Sequence, residues 1–203
     1  MTALPHLGRL VLGTSLALSL AIVPAGADRS WSRADADALQ RKLVLIALNG
    51  MAEAPKAQET RVTEAEVNAY LGVHARQELP EGVVDPRLTI LPGGRLTGRA
   101  IVDLDAVRES QPRGTMSAWH LLSGRVPVEA TGVLLTKAGV GRFALETATV
   151  GGVPVPKTLL QELVSYYSRS AEQPNGVSLD TPFRLPARIR EIRTAQGQAL
   201  VLQ

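Results

Sequence analysis

The sequence contains no cysteine and few aromatic residues, and both absences narrow the chemistry open to the protein. Without cysteine, the chain has no disulfide, no thiol nucleophile and no cysteine–zinc site, so packing and hydrogen bonds must hold its fold. Aromatic residues make up only 3% of the chain, and the arginines are scattered among apolar residues. Nucleic-acid binding usually requires clustered basic residues with stacking aromatics. We therefore expect no nucleic-acid partner.

The apolar run near the N-terminus is too short to span a bilayer. Residues 10–23 form a run of 14 residues, whereas a membrane-spanning helix needs roughly 20. Arg9 precedes the run, Pro24 ends it, and residues 25–27 have the small-x-small form of a signal-peptidase site. We predict a cleaved secretory signal over residues 1–27 and a single periplasmic or secreted domain over residues 28–203. An uncleaved anchor is the alternative, and the missing cysteine excludes a lipoprotein anchor.

Strong catalytic and metal-binding motifs are also missing. The chain has no glycine-rich phosphate loop and no Gly-x-Ser-x-Gly elbow. His74 and His120 follow the signal, and neither has a second ligand at a metal-like spacing. We expect no metal, no cofactor and no enzymatic activity.

One carboxylate pair is a weak exception. Asp103 and Asp105 alternate with apolar residues on a predicted strand, where two carboxylates suit glycoside hydrolysis or calcium binding. A solvated strand face, with Arg95 and Arg99 as cross-strand partners, is the simpler interpretation.

Helical periodicity dominates the first part of the mature chain. Ser32 is a suitable N-cap, and apolar residues at helical spacing predict a helix over residues 33–52. Residues 60–62 are a brief predicted strand. Thr63 and Glu66 have the spacing of a capping box, which predicts a second helix ending before Pro80.

From residue 84 the hydrophobic period changes from 3.6 to 2, which predicts antiparallel strands. One hairpin turns at Pro-Gly-Gly over residues 92–94, and a second turns at residues 138–141. A third helix is predicted over residues 157–170, and closing strands follow. The segment 108–124 is either a short helix or a loop. This order predicts an α+β fold in which a long curved antiparallel sheet packs on helices, two of them N-terminal.

The apolar residues of the hairpins are more informative about function than the carboxylate pair. One face of each is small or branched apolar, and Val133 and Leu135 make the second hairpin apolar on its other face too. A strand that is apolar on both faces is buried on both or lines a cavity. Small inward-facing residues leave room for an acyl chain, and an ordinary close-packed core is the alternative.

Four segments resemble a known group of proteins. They are residues 62–71 (VTEAEVNAYL), 92–94 (PGG) with the strands around them, 151–156 (GGVPVP) with the helix that follows, and 182–186 (PFRLP) with residues 189–201. Their order and spacing resemble small extracytoplasmic bacterial proteins of the YceB and YpmS type, which are similar to tubular lipid-binding (TULIP-like) domains. The resemblance implies a curved sheet wrapped around a helix, with a groove for a lipid tail. It includes no catalytic residue, and this chain lacks the lipoprotein cysteine of the YceB type.

The sequence and the resemblance together predict an exported protein that binds a lipid or another hydrophobic small molecule, with transient contact to a membrane surface. Residues 112–124 are predicted to form a lid. The alternative is a non-enzymatic envelope scaffold that binds a protein partner along a strand edge, and the oligomeric state stays open. The predicted groove residues are Leu96, Ala100, Val102, Leu104, Met116, Trp119, Val128, Ala130, Leu134, Phe143, Leu145, Leu159, Leu163 and Tyr167.

Overall fold

The two predicted N-terminal helices form where their capping residues indicate. In the computed structural model, which describes residues 32–109, 123–167, 178 and 181–203, helix α1 (Arg33–Met51) begins after Ser32, whose hydroxyl accepts the Asp35 N–H at 3.2 Å. The predicted signal over residues 1–27 lies outside the described residues, as do residues 112–122 of the predicted lid.

The predicted capping box is confirmed, and it opens helix α2 (Glu64–Val73). The Glu66 N–H donates to the Thr63 hydroxyl at 3.2 Å, and the Thr63 N–H donates to the Glu66 carboxylate at 2.9 Å. Each side chain thereby satisfies a backbone donor that the first helical turn leaves free. A 3₁₀ turn (Ala75–Gln77) follows α2 before Pro80.

The strands follow the predicted hairpins. Two further helices are α3 (Leu104–Glu109) and α4 (Lys157–Tyr167). The strands are β1 (Glu59–Thr63), β2 (Val83–Ile90), β3 (Arg95–Asp103), β4 (Arg125–Lys137), β5 (Val140–Val150), β6 (Val153–Pro154), β7 (Phe183–Arg184), β8 (Glu191–Ala195) and β9 (Gln198–Leu202).

These strands form two antiparallel sheets. The large sheet has the order β2-β3-β4-β5-β6, with β7 also paired to β5, and the small sheet has the order β1-β9-β8. The predicted α+β class is therefore confirmed. Among the closing strands, β7 joins the large sheet, whereas β8 and β9 belong to the small sheet, because β9 pairs with β1 from Glu59↔Leu202 to Thr63↔Gln198.

The described core lies between the helices and the small sheet. Its cluster of buried residues draws on α1, β1, β9 and the segment before β8, and it contains no residue of the large sheet's long strands. The members are Leu39, Ile46, Val62, Leu185, Ile189 and Val201. The large sheet consequently has an apolar face that this core does not use.

Helix α2 covers the outer edge of the large sheet. The Asn68 side chain donates to the Leu88 carbonyl at 2.8 Å and accepts the Leu88 N–H at 2.7 Å, as a neighbouring strand would. The Glu64 carboxylate accepts the Ile90 N–H at 2.8 Å. Edge strands left with free backbone groups invite pairing with other chains, so these side chains close β2 to such pairing.

Replacing Asn68 with alanine is expected to destabilise the protein by about 2 kcal/mol, because two part-buried backbone groups lose their partner. Urea unfolding measures the change, and Gln77→Ala, at an exposed position just after the helix, is the control. Equal stability of the two variants would show that solvent satisfies this strand edge as well as Asn68 does.

Candidate functional site

The strand register brings eight of the predicted groove residues onto one face of the large sheet. Cross-strand pairs such as Ala100↔Val128 and Leu134↔Phe143 place their side chains on the same side, because side chains alternate along a strand. We call this side the apolar face. The eight predicted residues on it are Leu96, Ala100, Val102, Val128, Ala130, Leu134, Phe143 and Leu145.

The same register adds residues that were not predicted for the groove. For the added residues of β2 and β4 the signal was present in the sequence as period-2 alternation. The added residues of β5 join this face because an extra residue shifts the register of β5 between Thr131 and Gly132, which period-2 alternation did not predict. What the sequence lacked was the pairing that aligns these strands with β3. The added residues are Leu88, Ile90, Val126, Ala148 and Val150.

A row of small residues crosses the middle of the apolar face. Gly98 of β3 pairs with Ala130 of β4, which pairs with Ala148 of β5. The neighbouring rows carry larger side chains, with Leu96 and Leu145 on one side and Val128 on the other. We call this row of small residues, which runs across three strands, the furrow. Gly98 and Ala130 are half-buried, and Ala148 is buried at 6% exposed.

Apart from Ile90, which is only 2% exposed, the larger side chains of this face remain partly accessible to solvent. Leu96, Val102, Val128, Leu134 and Leu145 are all half-buried, and none reaches the burial of the core residues. Branched aliphatic side chains in a close-packed core are ordinarily fully buried. The apolar face thus offers hydrophobic surface that folding alone does not remove from water.

The opposite face of the large sheet carries cross-strand ion pairs. Val133 and Leu135 lie on it as well, but Leu135 is 52% exposed, so the expectation that the second hairpin is buried on both faces is wrong. Arg99 pairs with Glu129 directly across the ladder, and Arg95 reaches Glu146 at 3.1 Å. The Thr97 and Thr131 hydroxyls lie 3.0 Å apart. These contacts identify the solvent side of the sheet, opposite the apolar face.

The prediction that Leu104 continues the apolar face is wrong, because β3 ends at Asp103. The Asp103 carboxylate accepts the Ala106 N–H at 3.2 Å, and the Leu104 N–H donates to the Gly124 carbonyl at 3.0 Å. Asp103 therefore acts as the N-cap of α3, and Leu104 is its first residue. An aspartate ahead of a helix is a recognised capping signal, and the strong alternation of the preceding strand obscured it.

The carboxylates of Asp103 and Asp105 do not share a strand face either. Asp103 holds Arg125 at 3.1 Å, while Asp105 lies in α3 and accepts the Gly124 N–H at 2.9 Å. The Ala106 N–H and then Arg125 lower the pKa of Asp103, and partial desolvation opposes them. The predicted cross-strand partners are likewise corrected, since Arg95 and Arg99 pair with glutamates. Both aspartates hold the local backbone in place.

Helix α4 packs against β5. Leu159 lies in its first turn and is 36% exposed. Leu163 and Tyr167 also belong to α4, but the structure does not describe their side chains. Met116, Trp119 and His120 lie wholly outside the described residues. The predicted groove is therefore described along its strands and at the start of α4.

Among the described residues, no group of three or more histidine, aspartate or glutamate side chains is arranged to hold a metal. His74 instead pairs with Asp37 of α1, at 2.7 Å between Nε2 and Oδ1, and its ring lies 5.7 Å from that of Tyr70. None of the described helices is both long enough and apolar enough to cross a membrane.

Comparison with known proteins adds no relative: no family model, no curated protein and no solved structure matches this chain.

Proposed function

We propose that this protein is a non-enzymatic carrier that binds a lipid or another hydrophobic small molecule against the apolar face of the large sheet. The observation that carries the proposal is the separation of this face from the core. Its leucines and valines are half-buried, while the buried cluster lies between α1, α2 and the small sheet. A ligand with an apolar chain would remove this remaining surface from water.

The furrow of Gly98, Ala130 and Ala148 is the proposed site of the acyl chain. Burial of apolar surface contributes about 25 cal/mol per Å², or about 0.8 kcal/mol for each methylene group. The small residues leave space for the chain, and the larger side chains of the adjacent rows flank it. No charged group is required for binding of this kind, so the site needs neither metal nor cofactor.

The resemblance to TULIP-like domains supports a finer version of this proposal. In that version the large sheet curves around α4, and the helix closes the furrow from the side of β5. The packing of α4 on β5 supports this arrangement, and Leu159 would then line the entrance. Export through the predicted signal would place the carrier in the periplasm or outside the cell, where it would meet membrane lipids.

Native mass spectrometry of the exported protein, followed by solvent extraction and lipid analysis, tests this proposal. We expect a stoichiometric hydrophobic ligand on the wild type and its loss from Ala130→Asp, because a carboxylate in the furrow would be desolvated by the ligand. Ala144→Asp makes the same change on the opposite face of the sheet, and this matched control should keep the ligand.

Two results would contradict the proposal. One is a wild type that carries no ligand and takes up none from added lipid extract. The other is equal ligand occupancy in folded Ala130→Asp and Ala144→Asp, which would place any binding elsewhere. Circular dichroism and thermal unfolding establish that both variants are folded.

A further inference from the structure

Helix α1 exposes an apolar stripe on the side opposite the core. Val44, Leu45, Leu48 and Met51 are 47%, 56%, 59% and 76% exposed. Because positions 44, 48 and 51 are separated by four and three residues, their side chains follow one another along the helix. The same helix buries its other side in the core. We call these four residues the α1 stripe.

The α1 stripe ends in charges of opposite sign. Arg41 lies one turn before Val44 within α1, Glu53 lies two residues beyond the end of the helix at Met51, and both charged residues are exposed. Arg41 and Glu53 each lie six residues from position 47. Val44 and Met51 lie three and four residues from the same position. In sequence, the stripe and its end charges are therefore centred within one residue of each other.

We infer that the α1 stripe is the contact surface for a second copy of this chain. Two α1 helices would pair antiparallel about a two-fold axis near position 47, so that one patch meets its own copy. This arrangement brings Val44 of one copy close to Met51 of the other and each Arg41 close to Glu53 of the second copy. Antiparallel pairing also sets the helix dipoles in opposition.

The charge pattern argues against a lipid surface as the occupant. A helix that lies on anionic lipid carries basic residues along its flanks and commonly aromatic residues on its apolar side. Here the acidic residues Asp37 and Glu53 bracket the stripe, which contains no aromatic residue. Opposite charges at opposite ends instead fit a self-complementary interface, where they fix the register of the two helices.

A charge-swap experiment tests this interface directly. Sedimentation velocity over a range of protein concentrations should show a reversible dimer for the exported wild type. Arg41→Glu and Glu53→Arg should each weaken self-association roughly tenfold or more, because each brings two like charges together. An equimolar mixture of the two variants should associate again, since each of the two facing pairs in the mixed dimer then joins a positive and a negative charge. Arg142→Glu, exposed on the large sheet, is the control for a charge reversal outside the stripe.

The dimer is further expected to dissociate in Leu48→Asp, which places a charge at the centre of the stripe on a residue that folding leaves exposed. A wild type that stays monomeric at every concentration would overturn the inference. So would a dimer that is indifferent to both Leu48→Asp and the charge swap. Binding of the monomer to anionic vesicles through Leu48, without any self-association, would identify a membrane as the occupant and likewise overturn it.

Discussion

Replacing Lys42 with methionine is expected to destabilise the protein by about 3 kcal/mol at neutral pH. Lys42 Nζ of α1 lies 2.7 and 2.8 Å from the two carboxylate oxygens of Glu66 and donates to the Arg61 carbonyl at 2.7 Å. Glu66 is only 8% exposed. Removing one partner of a buried ion pair costs about 3–5 kcal/mol, and the 29% exposure of the Lys42 side chain places the expected loss at the lower end.

The loss should depend on pH, because Glu66 titrates. Burial acts to raise the pKa of Glu66, and the bonds from Lys42 and Thr63 overcome it, so the folded pKa lies below the ordinary value, which is about 4.3. The stabilisation from Glu66 is therefore complete above the unfolded pKa and is lost as the pH falls through the folded pKa. In Lys42→Met the cation no longer opposes the effect of burial on Glu66. Protonation of Glu66 at acid pH should therefore reduce the difference in the free energy of unfolding between this variant and the wild type.

Urea unfolding of the wild type and Lys42→Met between pH 7 and the acid range measures this difference. Lys137→Met, at an exposed position on β4, is the control for loss of a lysine. The double variant Lys42→Met with Glu66→Gln should recover part of the lost stability, since no buried charge is left without its partner. A loss that is small at neutral pH, or independent of pH, would show that water solvates Glu66 in place of Lys42.

Replacing Gly132 with alanine is expected to destabilise the protein by about 2–3 kcal/mol. A Cβ at this position would lie 2.5 Å from Phe143 Cζ and 2.6 Å from the Ala144 carbonyl oxygen. The ring can move, but the carbonyl belongs to the paired strand β5 and is held by the ladder. Overpacking of this kind typically costs about 1–3 kcal/mol, and here the backbone contact favours the upper part of that range.

Gly98→Ala is the matched control, because Gly98 lies on the same apolar face one strand away. A Cβ there would find its nearest neighbour, the Ala130 carbonyl oxygen, at 4.0 Å. This variant should be unchanged or stabilised by about 0.4–1 kcal/mol, since alanine restricts the unfolded chain more than glycine does. Thermal and urea unfolding measure the stability of both variants. Equal stability would show that the backbone of β5 shifts beside Gly132 at little cost.

Local signals in the sequence determined most of the elements. The Thr63 and Glu66 capping box and the Ser32 cap act within four residues, so they mark the starts of α1 and α2 without knowledge of the fold. Alternation of apolar and polar residues predicted both hairpins and the side of each strand on which Ala100, Val128 and Leu145 lie. Eight of the predicted groove residues share one face because side-chain direction along a strand depends only on sequence position.

Tertiary structure alone decided how these elements combine. The pairing of β9 with β1 joins segments about 140 residues apart, and no short-range signal specifies such a partner. Arg95 meets Glu146 because one extra residue in β5 shifts the register between Thr131 and Gly132. Asn68 was visible in a sequence motif, yet its role became clear only when α2 was placed against the edge of β2. Separation of the apolar face from the core follows from these long-range contacts, since they determine which hydrophobic surfaces meet and which stay accessible to solvent.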